Sequence, residues 1–203
     1  MIYRGMLVCD EHKFVFLRIP KTASRSISKA LTGMFDCRTV GYHHNNKVPK
    51  ELMEYFCFAV VRNPYERAIS AWLHWEKDLQ KHGKNLFFNS YLERNSQPCF
   101  PEMTREYLLL MGDSDNEYWK TQSEFIEEAN ANVHVLKYEN LEEDLNALPF
   151  IEKIEPPLVG KQNYGNWRDY YGWELETRVF QHQKADFENF GYKRWACEHK
   201  FFL

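Results

Sequence analysis

The stretch from Phe14 to Ile27 constrains the fold of this chain more than any other. Its first six residues, 14–19, are apolar except for Arg18, and β-branched or aromatic residues dominate among them. A run of this length and composition is typical of a buried β-strand. Pro20 ends the strand because proline has no N–H to donate and disfavours helix at the residue before it.

The residues after Pro20 combine a charge with hydroxyl groups just before a helix. The spacing of residues 27–31 predicts a helix with Gly33 as its stop. Unpaired N–H groups and the positive end of the helix dipole meet at such a junction, and both favour an anion, above all a phosphate. Lys21 adds a full charge, and hydroxyl donors come from Thr22, Ser24 and Ser26. The loop has no glycine, so it is not an ordinary ATP or GTP loop of the Walker type.

A second strand-and-helix pair follows the same plan. Residues 56–61 form another nearly continuous apolar run, and Arg62 stands directly after it. A helix is predicted over 65–77, because Asn63 suits its cap and Pro64 its first position. Ser70 lies on the same predicted face of this helix as three polar residues, Glu66, Arg67 and His74. Tyr65, Ile69, Trp72 and Trp75 form the opposite, apolar face.

Two more strands are predicted, over 37–42 and 133–138, and the latter leads into an acidic helix over 141–148. A further helix is predicted over 102–111 and a last one over 173–189. Strands that alternate with helices and are buried on both faces indicate an α/β domain with a three-layer arrangement, a parallel β-sheet flanked by helices. We expect one domain over residues 1–203. Because ligands bind at the carboxyl ends of such strands, Lys21 and Arg62 should lie at the same edge.

Composition and charge exclude several classes of protein. With 44% hydrophobic and 16% aromatic residues, a chain of 203 residues can bury a substantial core and is not disordered. Residues 1–50 hold nine Lys and Arg against three Asp and Glu, whereas residues 102–155 hold four against fourteen. A basic first quarter suits a small polyanion, but the excess is too modest for a dedicated nucleic-acid binder.

The cysteines and the amino terminus bear on location. Five cysteines without CxxC or zinc spacing predict reduced packing residues in a reducing compartment, and the alternative is one or two disulfides in an oxidising lumen. The first ten residues lack the apolar core of a signal peptide, and no run of about 18 apolar residues exists to span a membrane. We therefore expect a soluble, cytoplasmic protein.

The two phosphate motifs resemble those of a known family. Pro20-Lys-Thr-Ala-Ser-Arg-Ser26 is similar to the 5′-phosphosulfate loop of the carbohydrate and heparan-type sulfotransferases, and Val60-Val-Arg-Asn-Pro-Tyr-Glu-Arg-Ala-Ile-Ser-Ala-Trp72 to their 3′-phosphate segment. Shorter similarities follow in order, over 121–126, 136–144, 167–171 and 186–192. The resemblance implies a P-loop-like sulfotransferase fold. It also implies transfer of the sulfuryl group from 3′-phosphoadenosine 5′-phosphosulfate (PAPS) to a hydroxyl, usually on a sugar. The product left from the donor would be the doubly phosphorylated nucleotide PAP.

The resemblance also assigns roles. Lys21 would bind the bridging and 5′-phosphate oxygens and stabilise the leaving phosphate. The 5′-phosphate would lie in the loop formed by Lys21, Thr22, Ala23, Ser24, Arg25 and Ser26, with Thr22 and Ser26 contributing backbone N–H groups. Ser24-Arg25 departs from the small residues usual there; Arg25 either adds a phosphate contact, which we favour, or points to solvent. Arg62 and Ser70 would hold the 3′-phosphate, and Lys161 would cover the nucleotide.

The acceptor hydroxyl must lose its proton, and histidine has a suitable pKa. His43 and His44 follow the predicted strand over 37–42 and are the leading candidates for the general base, with no choice made between them. His74 is the reserve, followed by Glu76 and Glu124. Sulfuryl transfer from PAPS needs no metal, and the sequence shows no metal-ligand spacing.

Two other functions remain open at this point. A P-loop-type nucleotide or small-molecule kinase shares the architecture, although the missing glycines and the lack of an Mg²⁺-binding aspartate after an apolar strand count against it. A non-catalytic module that binds a nucleotide or an anionic glycan would keep the pocket without the chemistry. The leading interpretation implies a glycan as the acceptor; its identity and the oligomeric state do not follow from the sequence.

Overall fold

A computed structural model describes residues 5–41, 47–82, 119–154 and 165–195, and for residues 75–82 it describes the backbone alone. Within these ranges five strands are present: β1 Met6–Cys9, β2 Phe14–Leu17, β3 Arg38–Val40, β4 Phe56–Val61 and β5 Val133–Lys137. The same ranges contain six α-helices: α1 Ser24–Met34, α2 Pro64–His82, α3 Gln122–Ala129, α4 Leu141–Asn146, α5 Trp173–His182 and α6 Lys184–Phe190. Short 3-10 helices cover Lys50–Leu52, Tyr138–Asn140 and Trp167–Tyr170.

The strands form one mixed sheet in the order β3-β1-β2-β4-β5. β2, β4 and β5 are parallel neighbours, whereas β1 is antiparallel to both β2 and β3. The α/β class is therefore confirmed, but the prediction of a purely parallel sheet is wrong. The cause is β1, an apolar strand that was not predicted from the sequence. Only four residues connect it to β2, which permits a hairpin but not the long crossover of a parallel pair.

The register of the parallel strands brings the predicted motifs to one edge. Leu17 near the end of β2 pairs with Ala59 of β4, so the chain leaves both strands in the same direction. All four residues of β2 and the last five of β4 are buried, as expected for strands covered on both faces. The Phe16 and Phe58 rings stack across the strand pair with centroids 4.9 Å apart.

The helices confirm most predicted starts but fewer ends. α1 begins three residues before the expected helix and runs through Gly33, which does not adopt the left-handed conformation of a glycine stop. α2 begins at Pro64 as predicted and continues to His82, because the residues after Lys77 also favour helix. The predicted acidic helix is present as α4, and the predicted last helix is divided at Gln183 into α5 and α6. The helix predicted over 102–111 lies outside the described residues.

The chain divides into two compact units, Met1–Asn63 with Lys120–Lys161, and Pro64–Trp119 with Gln162–Leu203. We call them the sheet unit and the helical unit. The core of the sheet unit lies around Phe14, Phe58, Leu136 and Leu145, and that of the helical unit around Tyr65 and its neighbours on α2 and α5. The expectation of a single domain over 1–203 stays a prediction. No helix in the described ranges is long and apolar enough to cross a membrane.

Candidate functional site

The loop between β2 and α1 has an unusual backbone. Lys21 and Ala23 have φ angles of 70° and 64°, a left-handed conformation that residues with a Cβ avoid at a cost of about 1–2 kcal/mol each. The Thr22 side chain, 0% exposed, donates from Oγ1 to the Ile19 carbonyl at 3.0 Å. This bond closes the loop and engages the hydroxyl proton, so an anion would meet the backbone N–H of Thr22 rather than its hydroxyl.

The start of α1 is suited to an anion. Its first turn has no acidic residue, and Ala23 at the cap position makes no side-chain hydrogen bond to the helix. The first backbone N–H groups of a helix have no partner within it, and the dipole makes this end positive. Ser26 is buried in the first turn, Ser24 is half-buried and Arg25 is exposed. The helix start therefore has the polarity that a phosphate requires, whereas an Arg25 contact stays a prediction.

Arg62 lies beside this loop. It follows β4 directly, is only 6% exposed, and its Nη1 is 3.5 Å from the Lys21 carbonyl oxygen. The guanidinium carbon also lies 4.1 Å from the centroid of the Tyr138 ring, a cation–π contact that fixes its plane. The two motifs that the sequence places 41 residues apart therefore meet at one edge of the sheet.

The main chain around Arg62 is held by side chains from two other segments. The Arg62 N–H donates to Oε1 of Gln122 at 2.8 Å, and Nε2 of Gln122 donates to the Arg62 carbonyl at 2.9 Å. The next N–H, that of Asn63, donates to Oε1 of Glu139 at 2.7 Å. The path of the chain as it leaves β4 is thus fixed at two successive residues.

Reasoning from sequence missed these supporting residues. None of Gln122, Tyr138 and Glu139 was a predicted site residue, although all three lie in segments that resemble the family and Tyr138 ends the strand predicted over 133–138. A signal for α3 was present, since Thr121 and Glu124 have the spacing of a capping box. The structure has both of its bonds: the Glu124 N–H donates to Oγ1 of Thr121 at 3.1 Å, and the Thr121 N–H donates to Oε2 of Glu124 at 2.7 Å. That engagement of Glu124 weakens it as an alternative general base.

Several predicted site residues are not brought together by the described part of the structure. His43, His44 and Lys161 lie outside the described residues, as does the side chain of Glu76. Ser70 is buried on α2 in the helical unit, and its role beside Arg62 stays a prediction. The apolar face of α2 is confirmed where its side chains are described, because Tyr65, Ile69 and Trp72 are in the core of that unit. Within the described ranges, no group of three or more metal-ligating side chains occurs.

The helical unit contains a separate buried polar network. Glu176, with its side chain 0% exposed, accepts a hydrogen bond from the Tyr65 hydroxyl and two more from Arg194, to Oε1 at 3.0 Å and Oε2 at 2.9 Å. Burial acts to raise the pKa of Glu176, but the bonds from Arg194 and Tyr65 outweigh it and leave the pKa below its usual value. Burial, and then the bond to Glu176, raise the pKa of Tyr65 well above its usual range.

Fold and site together define a class of protein. A mixed α/β sheet whose parallel strands end in a lysine loop, a positive helix start and a buried arginine is typical of proteins that bind a phosphorylated small molecule at that edge. Residues 4–193 match the model of the sulfotransferase family. The chain therefore belongs to the sulfotransferase family, as its motifs predicted.

Similar proteins include several carbohydrate sulfotransferases. The chain is 26% identical to carbohydrate sulfotransferase 14 of Homo sapiens over 182 residues, which cover 77% of this chain and 48% of that protein. It is 23% identical to carbohydrate sulfotransferase 10 of Xenopus laevis over 244 aligned residues, covering 93% and 67% respectively. Against the human carbohydrate sulfotransferase 10, the identity is 34% over 86 residues, 32% of this chain and 24% of that one.

The chain thus spans about half the length of carbohydrate sulfotransferase 14. No solved structure matches it.

Proposed function

We propose that this protein transfers the sulfuryl group of PAPS to a hydroxyl group of a carbohydrate. The contact between the Arg62 guanidinium and the Lys21 carbonyl carries the proposal. It brings together the two motifs that a donor phosphorylated at both its 3′ and 5′ positions needs. The names of the similar proteins support a carbohydrate as the acceptor. Helices on both faces of the sheet, in three layers, are part of the same proposal.

Different residues, most of them in the sheet unit, would bind the different parts of the donor. The 5′-phosphate would accept hydrogen bonds from the backbone N–H groups of the α1 start, with Thr22 and Ser26 among the contributors. Lys21 would contact the oxygen that bridges phosphorus and sulfur. Arg62 would bind the 3′-phosphate, because a charged donor makes hydrogen bonds about twice as strong as a neutral one. Ser70 and Lys161 complete the predicted set.

The reaction would be an in-line displacement at sulfur. The acceptor oxygen forms a bond to sulfur while the bond between sulfur and the bridging oxygen breaks, and that electron pair stays on the phosphate of PAP. Lys21 stabilises the charge that develops there, as fixed cations do in phosphoryl transfer. The proton of the acceptor hydroxyl passes to a general base, for which His43 and His44 stay the predicted candidates. The scheme requires no metal ion.

Thermal shift tests the donor first. Saturating PAP should raise the melting temperature by about 5–10 °C, the effect of ligand near 100 times its dissociation constant on a chain of this size. A shift with ATP and Mg²⁺, but none with PAP, would instead favour the kinase alternative. Transfer of radiolabelled sulfate from PAPS to a panel of glycans then tests turnover. Stabilisation by PAP without transfer to any acceptor would contradict the proposed enzymatic activity and favour the alternative of a non-catalytic binding module.

A further inference from the structure

The Gln122 side chain replaces a neighbouring strand at the point where β4 ends. The ladder between β4 and β5 finishes with the pair Val61 and Lys137, so Arg62 is the first residue beyond it. Gln122 is 0% exposed, and its amide both accepts from the Arg62 N–H and donates to the Arg62 carbonyl, at 2.8 and 2.9 Å. A primary amide that bonds both main-chain groups of one residue does what an adjacent strand residue would do.

We propose that Gln122 is a positioning residue for Arg62 and thereby sets the preference of this protein for a nucleotide with a 3′-phosphate. The inference rests on the proposed function, in which Arg62 binds that phosphate. Gln122 acts through the main chain: it fixes where the Arg62 Cα stands and therefore where the guanidinium lies.

The surroundings show why this support matters. Arg62 is buried, so a main-chain N–H or carbonyl without a hydrogen-bond partner there costs free energy. The chain can lower this cost only by shifting until those groups reach other partners. Glu139 holds the next N–H, that of Asn63, and the Tyr138 ring limits the plane of the guanidinium. Because these contacts hold the chain on both sides of Arg62, the loss of Gln122 would displace the Arg62 backbone relative to them. A two-point bond from guanidinium to phosphate tolerates little displacement.

The test compares two nucleotides in one series of variants. Calorimetry gives the affinities for PAP and for adenosine 5′-monophosphate, which lacks the 3′-phosphate, and their ratio measures 3′-phosphate recognition. Gln122→Met keeps the length of the side chain but removes both hydrogen bonds, and we expect it to lower the ratio by about tenfold. Arg62→Met should lower the ratio at least as far. The double variant should show no further fall, because Gln122 acts through Arg62.

Asn146 provides a matched control in the same unit. Its amide also accepts from one N–H and donates to one carbonyl, both of Ile154, at 2.8 and 3.1 Å. Asn146→Leu should lower the melting temperature but leave the ratio unchanged. If Gln122→Met does the same, its role is structural only and the inference is wrong.

The outcomes separate this inference from the proposed function. If the wild-type protein binds both nucleotides equally, the assignment of Arg62 to the 3′-phosphate fails first. If the wild type and Arg62→Met behave as expected while Gln122→Met retains the ratio, the positioning role alone is wrong. Should Gln122→Met not fold, Gln122→Glu is the second variant. It keeps the acceptor for the Arg62 N–H, loses the donor to the carbonyl, and should still lower the ratio at least threefold.

A different observation carries a second inference, on the cysteines of β1 and β3. The register of β1 and β3 pairs Leu7 with Thr39 and Val8 with Arg38, so one step further Cys9 faces Cys37. Both side chains pack on the same core of the sheet unit. Directly opposed residues of antiparallel strands have Cα atoms about 4.5–5.5 Å apart, within the span of a disulfide.

We infer that Cys9 and Cys37 are a thiol–disulfide site for low-molecular-weight disulfides such as oxidised glutathione. The half-buried Cys37 thiolate attacks glutathione disulfide and releases one glutathione thiolate. Cys9 then attacks the Cys37 sulfur of the mixed disulfide and releases the second. The protein is oxidised by two electrons and the glutathione disulfide is reduced to two thiols. The new bond closes a loop that contains β2, the phosphate loop and α1.

Mass spectrometry after oxidation tests this pair. Incubation of the full chain with oxidised glutathione, followed by alkylation and digestion, should yield a Cys9–Cys37 cross-linked peptide. The oxidised protein should melt about 5–10 °C higher, because the bond constrains the unfolded chain. Burial raises the pKa of the Cys37 thiol to about 12, so the reaction should be slow at neutral pH and faster in alkali.

Cys57→Ser is the control, since Cys57 is buried on β4 and should not alter the cross-link. Cys37→Ser should remove both the cross-link and the shift in melting temperature. Full alkylation of Cys9 and Cys37 after oxidation, or a cross-link from either of them to another cysteine, would show the inference to be wrong.

Discussion

The buried hydrogen bonds around Arg62 in the sheet unit differ in kind from those around Glu176 in the helical unit. In the sheet unit, side chains bond to main-chain atoms: Gln122 to Arg62 and Thr22 to Ile19. Around Glu176 in the helical unit, side chains bond to one another, since the carboxylate accepts from Tyr65 and Arg194. The first pattern fixes a backbone from which a charged side chain can reach a ligand. The second satisfies charges within the protein. Changes in the first should therefore affect binding and turnover, and changes in the second should affect stability.

The largest expected effect tests the sheet unit. Lys21→Ala should lower the rate of sulfate transfer at least 1,000-fold, because the charge that develops on the leaving phosphate loses its fixed cation. The melting temperature should stay within about 2 °C of the wild type, since Lys21 is half-buried at the edge of the unit. Lys29→Ala, an exposed lysine of α1, is the matched control and should remain active. Similar activities in the two variants would contradict the assigned role.

The next largest effect is expected when the general base is removed. Either His43→Ala or His44→Ala should slow transfer by about 100-fold or more, the usual contribution of a positioned base, while the affinity for PAP changes less than twofold. Kinetics at saturating donor together with calorimetry distinguish these quantities. If both variants keep wild-type rates, the base lies elsewhere, and His74 is tested next.

In the helical unit, removing the buried carboxylate should lower the stability of the protein. Glu176→Gln leaves Arg194 without its carboxylate, and we expect the free energy of unfolding to fall by about 2 kcal/mol. This figure is discounted from that of a fully buried pair, because the Arg194 side chain is 41% exposed. Glu174→Gln is the matched control: its exposed pair with Arg178 on the same helix should contribute less than about 0.5 kcal/mol. Urea denaturation measures both, and equal losses would contradict the distinction between the pairs.

The same network predicts a dependence on acid. The pKa of Glu176 is lower in the folded protein than in the unfolded chain, so its contribution is present above the unfolded value and is lost as pH falls through the folded one. As pH falls below the unfolded value of about 4.5, the free energy of unfolding should therefore fall more steeply for the wild type than for Glu176→Gln. Parallel pH profiles would show that Glu176 is not the responsible group.

The smallest effect concerns the shape of the loop between β2 and α1. Thr22→Val removes the bond to the Ile19 carbonyl but keeps the shape of the side chain. We expect a loss of about 1 kcal/mol in the free energy of unfolding and a threefold to tenfold loss in affinity for PAP. Thr22→Ser restores the hydroxyl and should recover most of the affinity. If the valine variant binds PAP normally, the loop does not depend on this bond.

Several parts of the molecule could be predicted from local sequence. The strand before Lys21, the strand before Arg62 and the start of α2 at Pro64 each carry a signal within a few residues: an apolar run, or a proline that suits a first helical position. β1 could not be recognised in the same way, because four apolar residues give too short a pattern. Its antiparallel pairing on both sides is what makes the sheet mixed.

The sequence by itself determined the lysine loop before α1, the arginine after β4 and the family, since these depend on residue types at fixed spacing. Only the tertiary structure decided what supports them. Gln122 holds the main chain of Arg62, 60 residues away, and Tyr138 lies under its guanidinium. Both contacts depend on the order of the strands. The reason is physical: a side-chain amide far along the chain has no preferred partner until the sheet has formed and left one buried N–H and one carbonyl within its reach.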